Sequence, residues 1–129
     1  MAVSQQDSEF VAYVVDLLQS VGPVSSRRMF GGHGIFLEGL MFGLIAGQEL
    51  YLKVDGQSRE EFTALGLQPF TYLRQGKTMQ LNYYQAPEEA LELPATMAEW
   101  GNKAYATAVR AAAAKRQKAH AQGKPEPKA

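Results

Sequence analysis

Residues 27–55 constrain the fold most, because this stretch consists of apolar runs that only glycine-bearing joints separate: RRMFGGHGIFLEGLMFGLIAGQELYLKVD. Glu38-Gly39 and Gly47-Gln48 have the length and composition of tight turns between strands. Between these two joints, residues 40–46 are almost wholly apolar. The pattern predicts a meander of short antiparallel strands.

Helices and a hairpin are predicted around this meander. Apolar residues at helical spacing predict a helix over residues 5–21, which Gly22-Pro23 ends. The other predicted elements are strands at 24–30 and 35–37 joined by a bulge or tight turn over 31–34, strands at 40–46 and 49–54, a short helix at 57–65, a hairpin at 69–74 and 77–84, and an alanine-rich helix at 95–120. No helix separates successive strands of the meander, so we predict an α+β fold: a two-layer antiparallel sheet of about five strands with helices on one side.

The length of 129 residues suits a single hydrophobic core. We assign residues 1–110 to one domain and residues 111–129 to a basic, partly disordered tail. No apolar run is long enough to span a bilayer, and the first ten residues carry acids where a signal peptide would be basic. These features predict a cytoplasmic protein.

The charges are unevenly distributed along the chain. Residues 1–102 hold 6 basic and 12 acidic side chains, whereas residues 103–129 hold 7 and 1. One interpretation is that the basic end covers the acidic body or keeps the chain in solution. The other is that the basic end approaches nucleic acid. The residues concerned are Arg110, Lys115, Arg116 and Lys118.

Few residues suggest catalysis. The chain has no cysteine, which excludes disulfides and thiolate sites, and only two histidines, so we predict no metal and no cofactor. His33 lies between glycines, where it would be an exposed loop residue or an acid or base beside a bound ligand. Arg27 and Arg28 precede that loop, and at most one of them points into any one site, because adjacent strand residues face opposite ways.

The aromatic residues have the spacing of strand residues that pack against a layer of helices. Few basic residues lie between them, which favours core packing over a platform for stacked bases. We expect Tyr83 and Tyr84 to be the pair that leaves one ring exposed. The set comprises Phe30, Phe36, Phe42, Tyr51, Phe70, Tyr72, Tyr83 and Tyr84.

A long ordered pattern over roughly residues 8–110 resembles the TfoX N-terminal domain family, also called Sxy-type. The matching fragments are Arg28-Met29-Phe30-Gly31-Gly32, Gly34-Ile35-Phe36, Gly39, Met41-Phe42, Leu44-Ile45, Leu50-Tyr51-Leu52-Lys53-Val54-Asp55, Phe62, Gly66, Pro69-Phe70, Tyr72, Tyr83-Tyr84, Pro87-Glu88-Glu89, Trp100 and Ala104. The resemblance implies a bacterial cytoplasmic protein with a secretion-chaperone-like α+β domain. The family's named members regulate natural competence genes, and are thought to act with the cyclic AMP receptor protein at promoters.

Two functional hypotheses follow. The first is a non-enzymatic regulatory or adaptor domain that binds a protein partner such as a transcription factor, with weak DNA contact through the basic tail. Its surface candidates are Arg27, Arg28, His33, Tyr83 and Tyr84. The second is a small-molecule binder or enzyme that uses the Gly31–Gly34 loop, with Arg28 gripping an anion and His33 as acid or base. A homodimer through an open strand edge is also expected.

Overall fold

A computed structural model describes residues 5–29 and 31–121 of the chain. The helices are α1 (Gln5–Leu18), α2 (Arg59–Thr63) and α3 (Pro94–Ala121), with a 3₁₀ turn at Glu88–Leu91. The strands are β1 (Ser25–Met29), β2 (Gly32–Leu37), β3 (Leu40–Ala46), β4 (Glu49–Lys53), β5 (Pro69–Arg74) and β6 (Lys77–Gln85). The fold is α+β, which confirms the prediction.

One six-stranded sheet contains all of these strands. Its order is β1-β2-β3-β4-β6-β5, and every neighbouring pair is antiparallel. The first four strands form the predicted meander. Strand β6 adds to its β4 side, and β5 becomes the edge of the sheet.

The sheet has six strands where about five were expected, because β1 and β2 are separate strands that pair with each other. The predicted tight turn is present at Gly31, which has a φ of 76°, but it does not extend over Gly32, His33 and Gly34, which already belong to β2. A Cβ atom on Gly32 would lie 2.2 Å from the carbonyl oxygen of Ile45 on β3. Gly32 therefore allows two strands to approach closely, and it is not a loop residue.

The hydrophobic core lies between the helices and one face of the sheet. In β4, Leu50 and Leu52 point into it, while the residues between them point away. In β3 a bulge places Phe42 opposite no residue of β2, and its ring packs edge-on against Tyr105 of α3 at 5.6 Å between centroids. The helices contribute Val11, Val14, Leu17, Leu18, Phe62, Met97, Ala104 and Ala108.

The first two helices are shorter than predicted. Helix α1 ends at Leu18 and not at residue 21, because the next residues form a turn in which the Val21 N–H donates to the Leu18 carbonyl at 2.8 Å, and α2 covers Arg59–Thr63 instead of residues 57–65. Helix α3 agrees with the helix predicted over residues 95–120, and it crosses the proposed domain boundary at residue 110 without interruption. Residues 122–129, the remainder of the tail expected to be partly disordered, lie outside the described residues, as does Phe30.

Candidate functional site

The face of the sheet that points away from the helices carries an apolar and aromatic surface, which we call the open face. Pairing in the ladder identifies its members, since Leu44 lies beside Tyr51, and Lys53 beside Tyr83. The neighbours on each strand, such as Leu52 and Tyr84, point into the core. The open face includes Arg27, Met29, Gly34, Phe36, Met41, Leu44, Tyr51, Lys53, Phe70, Tyr72 and Tyr83.

Arg27 and Arg28 point to opposite faces of β1, as their adjacency predicts. Arg27 pairs with Gly34, and its Cζ lies 4.4 Å from the centroid of the Phe36 ring, a cation–π contact on the open face. Arg28 pairs with His33, on the face that carries the helices. Only Arg27 therefore belongs to the open face.

His33 is a half-buried strand residue, so its interpretation as an exposed loop residue was wrong. Strand β2 has β1 on one side and β3 on the other, and its residues 33–35 have ladder partners on both. The backbone N–H groups of this segment are consequently used by the sheet. They are therefore not available to bind an anion.

Tyr83 and Tyr84 are both buried, at 8% and 6% exposure, so the expectation of one exposed ring was wrong. The alternation of β6 sends them to opposite faces. Tyr84 packs in the core with its ring 6.2 Å from that of Phe62. Tyr83 lies on the open face, where neighbouring side chains cover it.

Burial shifts the pKa of both Tyr83 and Lys53. Burial raises the pKa of Tyr83 to about 12, and the hydroxyl donates a long hydrogen bond of 3.4 Å to the Met41 carbonyl. The Nζ of Lys53 lies 5.0 Å from the centroid of the Tyr83 ring. Burial lowers the pKa of Lys53, while the charge of Asp55 acts in the opposite direction. The middle of the open face is therefore a packed layer with one partly desolvated cation.

Tyr51, Phe70 and Tyr72 form a line of rings toward the β5 edge of the open face. The centroids of Tyr51 and Phe70 are 5.2 Å apart with nearly perpendicular planes, and those of Phe70 and Tyr72 are 6.4 Å apart and stacked. Burial, followed by the charge of Glu49, raises the pKa of Tyr51. Assigning all the aromatic residues to the core was wrong, because several of them face away from the helices.

Arg110 lies in an internal ion pair. Its Nε donates to Oδ2 of Asp55 at 2.9 Å, and its Nη2 donates to Oδ1 of Asp55 at 3.1 Å and to the Thr107 hydroxyl at 3.0 Å. Oδ1 of Asp55 also accepts the backbone N–H groups of Gln57 and Ser58, each at 3.0 Å. The hydrogen bond from Arg110 is the main cause that lowers the pKa of Asp55 to about 2. This network fastens α3 to the end of β4.

The other three tail residues lie on the part of α3 that follows this network, residues 111–121, which we call the α3 extension. Lys115, Arg116 and Lys118 are all exposed there. No core residue follows Ala108 in the described chain. The structure thus separates Arg110, which belongs to the body, from the three cations of the extension.

Sequence reasoning missed Lys53, Met41 and the line of rings as surface residues. The available signal was that residues 40–46 are apolar at successive positions, since a strand with one solvated face normally alternates apolar and polar residues. Among the described residues, no group of three or more His, Cys, Asp or Glu side chains could hold a metal ion. None of the described helices is both long and apolar enough to cross a membrane.

Comparison with known proteins gives a consistent set of relatives. The chain is 29% identical over 82 residues to the DNA transformation protein TfoX1 of Aliivibrio fischeri, covering 64% of this chain and 39% of that protein. It is 33% identical over 87 residues to the DNA transformation protein TfoX of Haemophilus influenzae, covering 67% and 39%. The Escherichia coli K12 protein Sxy is 27% identical over 73 residues, covering 57% and 35%.

The chain thus spans about two fifths of the length of these curated relatives. The sequence profile of the TfoX N-terminal domain matches residues 16–108, which include every strand of the sheet, the 3₁₀ turn and most of the core. The chain therefore belongs to the TfoX N-terminal domain family.

Proposed function

We propose that this chain is a non-enzymatic adaptor domain of the competence-regulator type, which acts in the cytoplasm by binding a protein partner through the open face. The relatives named as DNA transformation proteins support the regulatory part of this proposal. A transcription factor is the partner class that fits regulation, and the cyclic AMP receptor protein is the first to test. The α3 extension would make weak contact with DNA beside the bound partner.

The observation that carries this proposal is the composition of the open face. Tyr, Phe, Met and Arg are enriched in protein interfaces, and all four residue types occur here with Lys53 among them. The central residues Leu44 and Tyr83 are nearly buried by their neighbours. Such a prepacked layer has little side-chain entropy left to lose when a partner covers it.

The small-ligand hypothesis gains less support from the geometry. It places Arg28 and His33 beside a loop over residues 31–34. These two residues are ladder partners on one face of the sheet, but residues 32–34 are part of a strand and not of a loop. The open face is therefore the proposed binding surface.

A pair of charge reversals on one strand tests the open face. Arg27→Glu removes the cation over Phe36 and places an acid on this face, while Arg28→Glu makes the same change of net charge on the opposite face. We expect Arg27→Glu to weaken partner binding about tenfold or more, as the loss of an interface arginine often does, and Arg28→Glu to leave it within about twofold.

The measurement is titration of the purified cyclic AMP receptor protein by fluorescence anisotropy, together with capture of partners from nuclease-treated bacterial lysate. Each variant is first checked for folding by circular dichroism. If Arg27→Glu and Arg28→Glu bind a captured partner equally well, the open face is not the binding surface. Capture of no protein by the wild-type chain would contradict the adaptor function itself.

A further inference from the structure

The hairpin of β5 and β6 projects from the body of the sheet. Strand β6 pairs with β4 only through Tyr83–Gln85, although β6 begins at Lys77. Residues 71–80 are all exposed, including three large apolar side chains: Tyr72, Leu73 and Met79. Leu73 is the most exposed of these, at 75%. A two-stranded ribbon is marginally stable alone in water, so such an arm gains stability if another strand covers its edge.

The two edges of the sheet differ in charge. Edge strand β1 carries Arg27 and Arg28, and charged side chains are a common means of preventing edge-to-edge pairing. Edge strand β5 has the sequence PFTYLR, with no charge before Arg74. The nearest acidic side chains in sequence are Glu61 and Glu88. Between Pro69 and Arg74, strand β5 thus has no charged side chain to prevent pairing, whereas β1 has two adjacent ones.

The turn determines which backbone groups of β5 are free. Gln75 and Gly76, with φ of 52° and 80°, form a two-residue loop between the paired residues Arg74 and Lys77. The two residues that flank such a loop form two hydrogen bonds with each other. Along β5, the N–H and C=O groups of successive residues then point alternately toward β6 and outward. Tyr72 therefore bonds toward β6, while the N–H and C=O groups of Thr71 and Leu73 point outward at the edge.

We infer that the β5 edge pairs with the β5 edge of a second copy of this chain, around a two-fold axis at Tyr72. In this antiparallel register, Thr71 of each copy lies opposite Leu73 of the other. All outward N–H and C=O groups of these two residues then form hydrogen bonds, roughly four in total. A register centred on Thr71 leaves the two outward Leu73 carbonyls without a donor, because it places Leu73 opposite Pro69, which has no N–H.

The side chains also complement each other in this register. Phe70, Tyr72 and Arg74 share one face of β5, so Arg74 of each copy lies opposite the Phe70 ring of the other. The two Tyr72 rings meet at the axis. No pair of like charges lies directly opposite, and the interface closes on itself with two copies, as an isologous contact must. This self-complementarity favours a second copy over an unrelated strand.

A single cysteine at the axis tests the register, because the chain has no cysteine of its own. Tyr72 is its own partner in a non-bonded pair, whose Cα atoms lie about 4.5 Å apart, within disulfide range. The two Leu73 residues would be about 8 Å apart, which is too far. In a glutathione redox buffer, we expect full-length Tyr72→Cys to form a disulfide dimer on a non-reducing gel and Leu73→Cys to remain largely monomeric.

Proline variants test the edge without a new cysteine. Thr71→Pro removes an outward N–H while leaving the bonds between β5 and β6 intact. Ser26→Pro makes the equivalent change at the β1 edge, where Met29 and Gly32 form the last pair of the ladder. We expect light scattering after size exclusion to show a dimer for the wild type and Ser26→Pro. Thr71→Pro should shift the mass toward the monomer at the same concentration.

A monomeric wild type throughout the micromolar range would overturn the inference, as would equal crosslinking of the two cysteine variants. If Thr71→Pro fails to fold, the comparison of Tyr72→Cys with Leu73→Cys still tests the inference. The inference does not rest on the proposed function, because these readouts need no partner. Loss of partner binding by Arg27→Glu and loss of the dimer by Thr71→Pro are separate results.

Discussion

Asp55 is the residue at which the body of the sheet is joined to α3. Its carboxylate accepts two backbone N–H groups of the following turn and two N–H groups of Arg110. The Ser58 and Thr107 hydroxyls, both on buried residues, lie 3.4 Å apart beside it. One acidic side chain therefore orders the end of β4, the approach to α2 and the position of α3.

This geometry predicts a pH-dependent loss of stability. The pKa of Asp55 falls from 3.8 to about 2 on folding, so its charged form stabilises the fold above about pH 4, and this contribution disappears as the pH falls toward 2. Asp55→Asn keeps an acceptor for the turn but removes the charge. We expect it to lower the free energy of unfolding by about 1 kcal/mol or less at pH 6, since the pair is partly exposed.

Urea unfolding at pH 6 and near pH 2 measures this difference. The gap between wild type and Asp55→Asn should shrink at the lower pH. Arg110→Gln should show a similar gap, and the double variant should lose little more than either single variant, because all three remove the same ion pair. A gap of constant size across this pH range would contradict the assignment of the pH dependence to the Asp55–Arg110 pair.

Gly32 is a second residue whose identity the structure requires. A Cβ atom there would lie 2.2 Å from the Ile45 carbonyl oxygen, which is too close for two atoms that are not bonded. The backbone of a central strand can move only slightly to relieve this contact. We expect Gly32→Ala to lower the free energy of unfolding by about 2 kcal/mol or more. Gly56→Ala is the control, since no atom lies within 4 Å of its added Cβ and its φ is unstrained. Chemical denaturation of both variants gives the comparison, and equal costs would argue against the close approach.

At the scale of elements, the sequence predicted most of the fold, because apolar periodicity and turn residues determine strands and helices locally. Residues 40–46 and the hairpin joined by Gln75-Gly76 appear as expected. Residues 32–34 do not, because glycine suits a turn and a close approach of strands equally well. Only the neighbouring strand, through the Ile45 carbonyl, distinguishes these two roles.

The open face, too, could not be predicted from local sequence patterns. Alternation identifies Tyr51 and Lys53 as sharing a face of β4, but it does not say which face the helices cover. That depends on the packing of α3 against β3 and β4, which is a long-range contact. The surface candidates Tyr83 and Tyr84 were therefore chosen for their ring type, although the fold buries both.

Truncation within α3 tests whether the extension belongs to the folded body. A chain that ends at Arg110 keeps the whole core and the ion pair, so we expect its melting temperature to change by about 2 °C or less. A chain that ends at Ala106 loses the buried Thr107 and Ala108 as well as Arg110. It should melt about 10 °C lower or fail to fold. Equal melting temperatures for the two truncations would contradict this role of residues 107–110.

At the scale of the whole molecule, the two interpretations of the charge imbalance apply to different parts of α3. The Nζ of Lys103 lies 3.3 Å from Oε1 of Glu61, and Arg110 pairs with Asp55, so the first part of the helix covers two acidic side chains of the body. The three exposed cations of the α3 extension follow these pairs. Residues 1–110 hold 8 basic and 12 acidic side chains, a net charge of −4, so the body alone would be repelled by phosphate.

Any DNA binding by this chain should therefore depend on the extension, and should be weak and sensitive to salt. Replacing Lys115, Arg116 and Lys118 by glutamine keeps the helix but removes its charges, since glutamine is a good helix former. We expect affinity for a fluorescent DNA duplex to fall, and the slope of log K against log salt to decrease by about 0.9 for each cation that contacts a phosphate. Replacing Arg74 and Lys77 by glutamine is the control for charge on the hairpin arm. If the triple variant binds with unchanged affinity and slope, the extension's charges do not contact DNA, and the nucleic-acid interpretation of the basic end is wrong.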